Sequence, residues 1–285
     1  MSLENTAQFL NTARQAHYCV GAFNIVDYLS LEAVIHAAET NQSPVILQTS
    51  SGTVRRFGAE RLVAMTKTLA DHSQVPIGLH LDHGTDLDLI QACIMAGYSS
   101  VMIDASRLPF EQNIAETHQV VEMAHRYGVS VEGEIGVLAG AEEEIVIKHD
   151  QAIYTTPTEA IEFQERSGVD FLAVAIGTAH GFYKEEPRLD INTLHVIHDH
   201  VDFPLVIHGG TGLSMDTLRM LVLAGAAKLN VSTQLKKSYI DALKDYLGAH
   251  QDEYNPLKLM QFAHDQVQTC VGTYMHTLGC AGKAQ

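Results

Sequence analysis

The segment Pro76–Asp86, PIGLHLDHGTD, decides the fold, and two later stretches repeat its design: FLAVAIGTAHGFY at Phe171–Tyr183 and PLVIHGGTG at Pro204–Gly212. In each, a histidine (His83, His180, His208) falls just past a short β-type run and is embedded in a small-residue loop. Histidines at the ends of three separate strands meet in space only if the strands are parallel neighbours. In a parallel barrel every carboxyl end opens at one face, where side chains are free to do chemistry. Three neutral imidazoles that leave a fourth position open form a recurring ligand set for catalytic zinc. The expectation is a metalloenzyme built on a barrel.

Working outward, eight β-type runs can be read: Cys19–Asn24, Pro44–Thr49, Pro76–Leu81, Ser99–Ile103, Val129–Glu134, Phe171–Ile176, Pro204–Ile207 and Ala227–Val231. They are rich in Val, Ile and Leu with little polar alternation, as strands covered on both faces should be. Between them, Leu29–Asn41, Ala59–Ser73, Leu87–Ala96 and Ile114–Tyr127 place apolar residues at helical spacing. Gly97, Gly128, Gly168 and Gly225 then stop helices just before strands. The remainder, Pro256 to Leu278, carries Leu257, Met260, Ala263, Val267, Val271, Tyr274 and Leu278 as one helical stripe, to pack on the barrel or on a neighbouring subunit. No linker divides the chain. The predicted architecture is an α/β (β/α)8 TIM barrel over residues 1–285 as a single domain, with an additional C-terminal helix.

Composition sets the partners. With 46% hydrophobic and 18% charged residues the chain is globular, and a formal charge of −16 argues against nucleic acid or an anionic membrane. Small phosphorylated substrates need only a few local donors and stay open. No secretory signal precedes the first run and no apolar stretch reaches the ~18 residues of a membrane span. Cys19, Cys93, Cys270 and Cys280 are scattered without a CxxC pair, as in a reduced, cytoplasmic protein.

The third run carries the densest chemistry. Period-two alternation puts His80 and Asp82 on one face, with His83 where the strand ends. Taken singly, a histidine is more often a core or surface residue than a ligand; recurrence at three strand ends reverses that. His80, deeper in the run, reads as a core histidine or one lying behind the site, and the twelve others, His195, His198 and His200 among them, read as surface.

The strings HLDHGTD, SVMIDAS, VEGEIG, AVAIGTAHGFY, VIHGGTGL and KLNVST, in this order and with FNI in the first run, closely resemble the class II, metal-dependent ketose-bisphosphate aldolases over nearly the whole chain. The resemblance implies Zn2+ held by His83, His180 and His208, with Asp104 and Glu134 as supporting carboxylates near the metal. A monovalent cation, Na+ or K+, is a further candidate cofactor. Asp82 is implied as the acid/base at the substrate hydroxyl. Retro-aldol cleavage leaves electron density on the ketone half, which zinc with three neutral ligands can stabilise as a Lewis acid. A glutamate on a mobile loop after the fifth strand moves the carbon-bound proton; in GVLAGAEEE this is Glu142, with Glu143 the nearest alternative.

Phosphate recognition falls, by the same resemblance, on Gly181, Gly209, Gly210 and Thr211 and on the stretch Asn230, Val231, Ser232 and Thr233, where backbone N–H groups close on an anion. Asn24, in FNI, joins the substrate-binding set. Ser50 and Lys184 match positions that reach the distal phosphate, and Lys283 either stands where relatives carry an arginine tail or belongs to a frayed end. NVST, and Ala141 before Glu142 where the fructose enzymes often have consecutive glutamates, lean toward tagatose 1,6-bisphosphate; Lys184 leans toward fructose 1,6-bisphosphate. The implied partners are small phosphorylated ketoses and trioses, and the implied assembly is a homodimer or homotetramer. The rivals are an aldolase for another ketose phosphate, a non-catalytic sugar-phosphate-binding barrel, and a Schiff-base aldolase. Lys228 is the sole candidate for the last, and a structural salt bridge is its competing role.

Overall fold

The computed structural model describes residues 3–142, 145–147, 152–183 and 187–284. In chain order the elements are α1 (Thr6–Gln15), β1 (Val20–Asn24), α2 (Tyr28–Thr40), β2 (Val45–Ser50), α3 (Ser51–Phe57), α4 (Ala59–Ala70), β3 (Ile77–Gly84), α5 (Leu87–Ala96), β4 (Ser100–Ile103), α6 (Phe110–His125) and β5 (Ser130–Ile135). There follow β6 (Ala139–Glu142), β7 (Ile145–Ile147), α7 (Pro157–Ser167), β8 (Phe171–Val174), β9 (Ala179–His180), α8 (Ile191–His200), β10 (Leu205–Ile207), α9 (Met215–Leu223), β11 (Ala226–Val231), α10 (Thr233–Ala249) and α11 (Pro256–Thr277).

The eight expected runs become the eight parallel strands of a closed barrel, ordered β1-β11-β10-β8-β5-β4-β3-β2. Each run is long enough for one strand and is flanked by turn residues, so helices cover the outside and side chains fill the inside. The interior is not uniformly apolar, however. Gln48, His80, Ser100, Glu132 and Lys228 are fully buried. The register Gln48↔His80 and His80↔Ser100 sets the first three of these at one level. A polar layer inside a barrel survives only if its members satisfy one another.

Helix α1 covers the amino-terminal end. Thr6 Oγ1 lies 3.1 Å from Ser99 Oγ and accepts from Ser100 Oγ at 2.8 Å, while the Ala7 amide donates to Ser130 Oγ at 3.3 Å. The open mouth is therefore the carboxyl end. Helix α11 lays Ala263, Val267, Val271, Tyr274 and Met275 into the core, but Leu257 and Met260, the first two positions of the expected stripe, are 73% and 46% exposed. The tail beyond α11 is docked rather than frayed: the amides of Gly282 and Ala284 donate to the carbonyls of Asn41 and Gln42, and Lys283 Nζ stands 6.0 Å from the centroid of the Tyr18 ring. These contacts lie at the amino ends of β1 and β2, away from the mouth.

One small sheet was not anticipated. After β5, the segment expected as a mobile loop instead forms β6, which pairs antiparallel with β7 and parallel with β9. The β-branched Ile145–Ile147 favours a strand. Gly140, at φ +109°, lets the backbone press against His180 where a Cβ would collide with it.

Candidate active site

His83, expected just past its run, lies inside β3 one residue before its end, at φ +48°; His208 directly follows β10, and His180 sits in β9. The three rings converge, with centroids 5.2 Å (His83–His180), 4.7 Å (His83–His208) and 6.1 Å (His180–His208) apart. One ring nitrogen of each lies within 4.8 Å of the others. His180 reaches this point through β9, held by its pairing to β6, rather than from the end of β8.

The surroundings select a tautomer for two of the rings. His208 Nε2 donates to Glu132 Oε1 at 2.7 Å, and its buried Nδ1 has no hydrogen-bond partner among the described residues. His83 Nδ1 donates to Asp104 Oδ2 at 2.9 Å. A carboxylate only accepts, so each contact puts the proton on the nitrogen that faces it and leaves the other a lone pair. Such carboxylate–histidine pairs are how metal-binding imidazoles are oriented. Glu134 Oε2 lies 3.7 Å from His83 Nδ1 and 3.8 Å from His208 Nδ1, and His83, Asp104 and Glu134 form a second cluster of suitable donors. An orphaned, buried imidazole nitrogen aimed among two other imidazoles fits a zinc ion.

Burial would raise the Asp104 carboxyl, but the hydrogen bond from His83, with two hydrogen bonds from Ser106, holds it well below the usual carboxylate range. Glu132 is pushed the same way: burial is outweighed by the Lys228 ammonium and the His208 hydrogen bond. Burial, reinforced by Lys228, drives His80 well down. His80 thus stays neutral, with Nδ1 2.8 Å from Ser100 Oγ and Nε2 3.4 Å from Glu132 Oε2.

Asp82 is 2% exposed yet lines the cleft beside the histidines. Each of its oxygens accepts one amide N–H, Oδ2 from Asn24 at 2.7 Å and Oδ1 from Asn230 at 3.1 Å. Its Oδ1 is 3.9 Å from His83 Nε2. A buried carboxylate held on both oxygens is fixed in position.

Around this centre the cleft brings together Ser50, Gly181, Gly209, Thr211, Asn230, Ser232 and Thr233, all expected in the substrate-binding set, and Asn24 with them. Gly209, at φ +73°, packs on the Ala179 backbone with no room for a Cβ. Its carbonyl accepts from the Tyr183 hydroxyl at 2.8 Å, which in turn accepts from the Ala179 amide at 2.9 Å. Helix α10 starts at the cleft without a hydrogen bond from its Ser232 cap. Two expected residues are not brought to the wall. The Gly210 N–H is engaged by the Asn230 carbonyl at 3.1 Å, and Val231 is fully buried in the ladder opposite Phe23. Lys184 and Glu143 lie outside the described residues, and of Glu142 only its place at the end of β6 is described.

The structure adds residues that the sequence reading passed over. Arg55, Arg107 and Lys236 line the cleft. Glu132 lies behind His208, and it shares a strand face with Glu134, a period-two signal visible in VEGEIG. Lys228 is fully buried and does not line the cleft; its Nζ donates to Glu132 Oε2 at 2.8 Å and to Asn230 Oδ1 at 2.6 Å. With its Nζ engaged by Glu132 and Asn230 away from the cleft wall, Lys228 takes the structural salt-bridge role.

The chain matches the family described as "Fructose-bisphosphate aldolase class-II" over residues 4–283. It is similar to the YdjI aldolase from Escherichia coli K12, with 33% identity, 100% of each chain covered and a TM-score of 0.88. A fructose-bisphosphate aldolase from Campylobacter jejuni, at 23% identity with 99% of this chain and 97% of that one covered, shares the fold with a TM-score of 0.86.

Proposed function

Because the chain belongs to the class II fructose-bisphosphate aldolase family, we propose that it is a zinc-dependent lyase cleaving a ketose 1,6-bisphosphate reversibly to dihydroxyacetone phosphate and glyceraldehyde 3-phosphate, with tagatose 1,6-bisphosphate favoured over fructose 1,6-bisphosphate. The observation that carries this reading is the meeting of one ring nitrogen from each of His83, His180 and His208 within 4.8 Å, beside a cleft lined by His83, His180 and Asp82.

In this reading the three histidines hold the metal, with Asp104 fixing the His83 ring. When bound, zinc supplies Lewis-acid stabilisation of the negative charge that develops on the ketone half. Glu134, between His83 and His208, supports the same site. Asp82 takes the proton from the hydroxyl on the far side of the breaking bond and returns it in the condensation direction. Its fixed position, held by hydrogen bonds from Asn24 and Asn230, supports that role. Glu142 is assigned the proton on the carbon next to the ketone; support comes from its place in β6, the strand that pairs with the β9 of His180.

The ketone-side phosphate is assigned to Gly181, Gly209, Thr211, Ser232 and Thr233. Support comes from the N-terminus of α10, a 17-residue helix whose dipole and N–H groups favour an anion. The distal phosphate is assigned to Ser50 and Lys184. NVST and Ala141, standing before Glu142 in place of a first glutamate, support the tagatose preference. A monovalent cation, Na+ or K+, belongs to the same reading. So does a homodimer or homotetramer, supported by Leu223, Leu247 and Leu257, which stand 81%, 51% and 73% exposed on the outer helices. Four free cysteines fit a cytoplasmic setting; among the described residues no helix is long and apolar enough to cross a membrane.

The test is a retro-aldol assay of the purified protein on both bisphosphates, after chelation and after added zinc. Zinc-restored cleavage that is faster on tagatose bisphosphate supports the reading in full. Faster cleavage of the fructose substrate overturns the preference, and no cleavage of either overturns the activity.

A further inference from the structure

A buried chain of hydrogen bonds runs through the barrel from one side of the site to the other. His208 Nε2 donates to Glu132 Oε1 (2.7 Å), and Lys228 Nζ donates to Glu132 Oε2 (2.8 Å) and to Asn230 Oδ1 (2.6 Å). Asn230 Nδ2 then donates to Asp82 Oδ1 (3.1 Å). Glu132 and Lys228 are both fully buried. Resting on the function proposed above, we infer that Lys228 is a positioning residue for proton transfer: its single ammonium fixes which way the Asn230 amide faces, and so holds Asp82 in place.

Donors and acceptors decide which way the Asn230 amide faces. A primary amide can be turned end for end at little steric cost, so its orientation is set by its partners. An ammonium only donates, and it therefore takes the Asn230 oxygen and turns the NH2 toward Asp82. A flipped Asn230 would set its oxygen against the Asp82 carboxylate and its NH2 against the Lys228 ammonium, two repulsive contacts in place of two hydrogen bonds. The opposite oxygen of Asp82 is served by the same device: Gln48 Nε2 donates to Asn24 Oδ1 at 3.0 Å, which turns the Asn24 NH2 toward Asp82 at 2.7 Å. The Lys228 arm differs in carrying a charge, and Glu132 balances that charge while also holding His208. One buried ion pair thus serves the metal side and the proton-transfer side together.

Simple removal of Lys228 leaves Glu132 buried and unpaired, which endangers the fold. The informative protein is the double variant Lys228→Met/Glu132→Gln. It removes one positive and one negative charge together, and the new amide oxygen still accepts from His208. Two measurements on it and on the wild-type chain decide the matter. The first is the ratio of two rates: ketose-bisphosphate cleavage, which needs Asp82, and proton exchange on dihydroxyacetone phosphate, which does not. Cleavage should slow by roughly tenfold or more, the loss of about one hydrogen bond's worth of positioning. Exchange and zinc content should stay within about threefold of wild type. Adding Asn230→Ala to the double variant should slow cleavage no further than Asn230→Ala does alone, because the two act through one group. The second is hydrogen exchange of the Asn230 side-chain NH2, identified by its disappearance in Asn230→Ala; it should be slow in the wild type and fast in the double variant.

Cleavage at the wild-type rate, equal loss of cleavage and exchange, or unchanged NH2 protection each reduces Lys228 to a counter-charge for Glu132 and overturns the inference. If the wild-type chain cleaves neither bisphosphate, the proposed function falls separately, and the NH2 measurement still decides whether Lys228 sets the Asn230 amide.

Discussion

Asp82→Asn separates metal binding from proton transfer with the smallest possible change of shape. The wild-type carboxylate accepts from Asn24 at 2.7 Å and from Asn230 at 3.1 Å, one bond on each oxygen. In the variant one oxygen becomes an NH2, so a donor meets a donor whichever way the new amide turns. Hydrogen bonds to a charged acceptor are worth roughly 1.5–3 kcal/mol each. One is lost outright and the other loses its charge, so stability should fall by about 2–4 kcal/mol. Turnover should fall further, by ~10²–10⁴-fold, because an amide cannot take the hydroxyl proton. Zinc content should stay near that of the wild type, since Asp82 is not among the three converging donors. The assay pairs metal analysis with kcat for ketose-bisphosphate cleavage, and His180→Ala serves as the comparison that should lose both metal and activity. Equal zinc loss in the two variants would refute the division of labour.

Three further outcomes follow from the same account. Glu142→Ala should slow proton exchange on dihydroxyacetone phosphate by ~10²–10⁴-fold; exchange at the wild-type rate moves the base to another residue, Glu143 first. Lys184→Ala should lower kcat/KM for a bisphosphate by about ten- to a hundredfold while sparing that exchange, because dihydroxyacetone phosphate has no distal phosphate; equal loss in both reactions removes Lys184 from the distal subsite. Burial, only partly offset by the Ala179 amide, pushes the Tyr183 hydroxyl up to about 12. Its folded value thus exceeds the unfolded one, so its contribution is complete below pH ~10 and is lost as pH rises toward 12, by at most about 2 kcal/mol. Denaturant titrations of wild type and Tyr183→Phe between pH 9 and 12 should show a steeper decline for the wild type; parallel curves refute the assignment.

Much of the barrel was legible because each strand is a Val/Ile/Leu run bounded by turn residues, and the runs needed shifts of a residue or two at their ends, except that β3 runs three residues past Leu81, to Gly84, and takes in Asp82 and His83. His83 and His208 were legible for the same reason. What escaped has a common cause. In runs rich in Val, Ile and Leu with little polar alternation, the inward-facing Gln48, Glu132 and Lys228 do not stand out as a connected layer, although VEGEIG and KLN show the period-two spacing. Connection across a barrel depends on register between strands distant in sequence, such as Ala22↔Asn230 and Glu134↔Ala173, which one chain read linearly does not contain. The β6–β9 pairing was hidden likewise, since β9 is only 2 residues long and carries too little pattern to read. Gly210 and Val231 were included by motif adjacency; alternation along β11 turns Val231 away from the face that presents Asn230.

The most direct test of the central claim is a zinc titration of the chelated protein, followed by X-ray absorption and by ketose-bisphosphate cleavage on the same samples. The expected result is about one zinc per chain, nitrogen ligands at roughly 2.0–2.1 Å, and activity that rises in proportion to bound metal. Full cleavage by the metal-free protein, with borohydride and a ketone phosphate trapping a covalent adduct at Lys228, would contradict it.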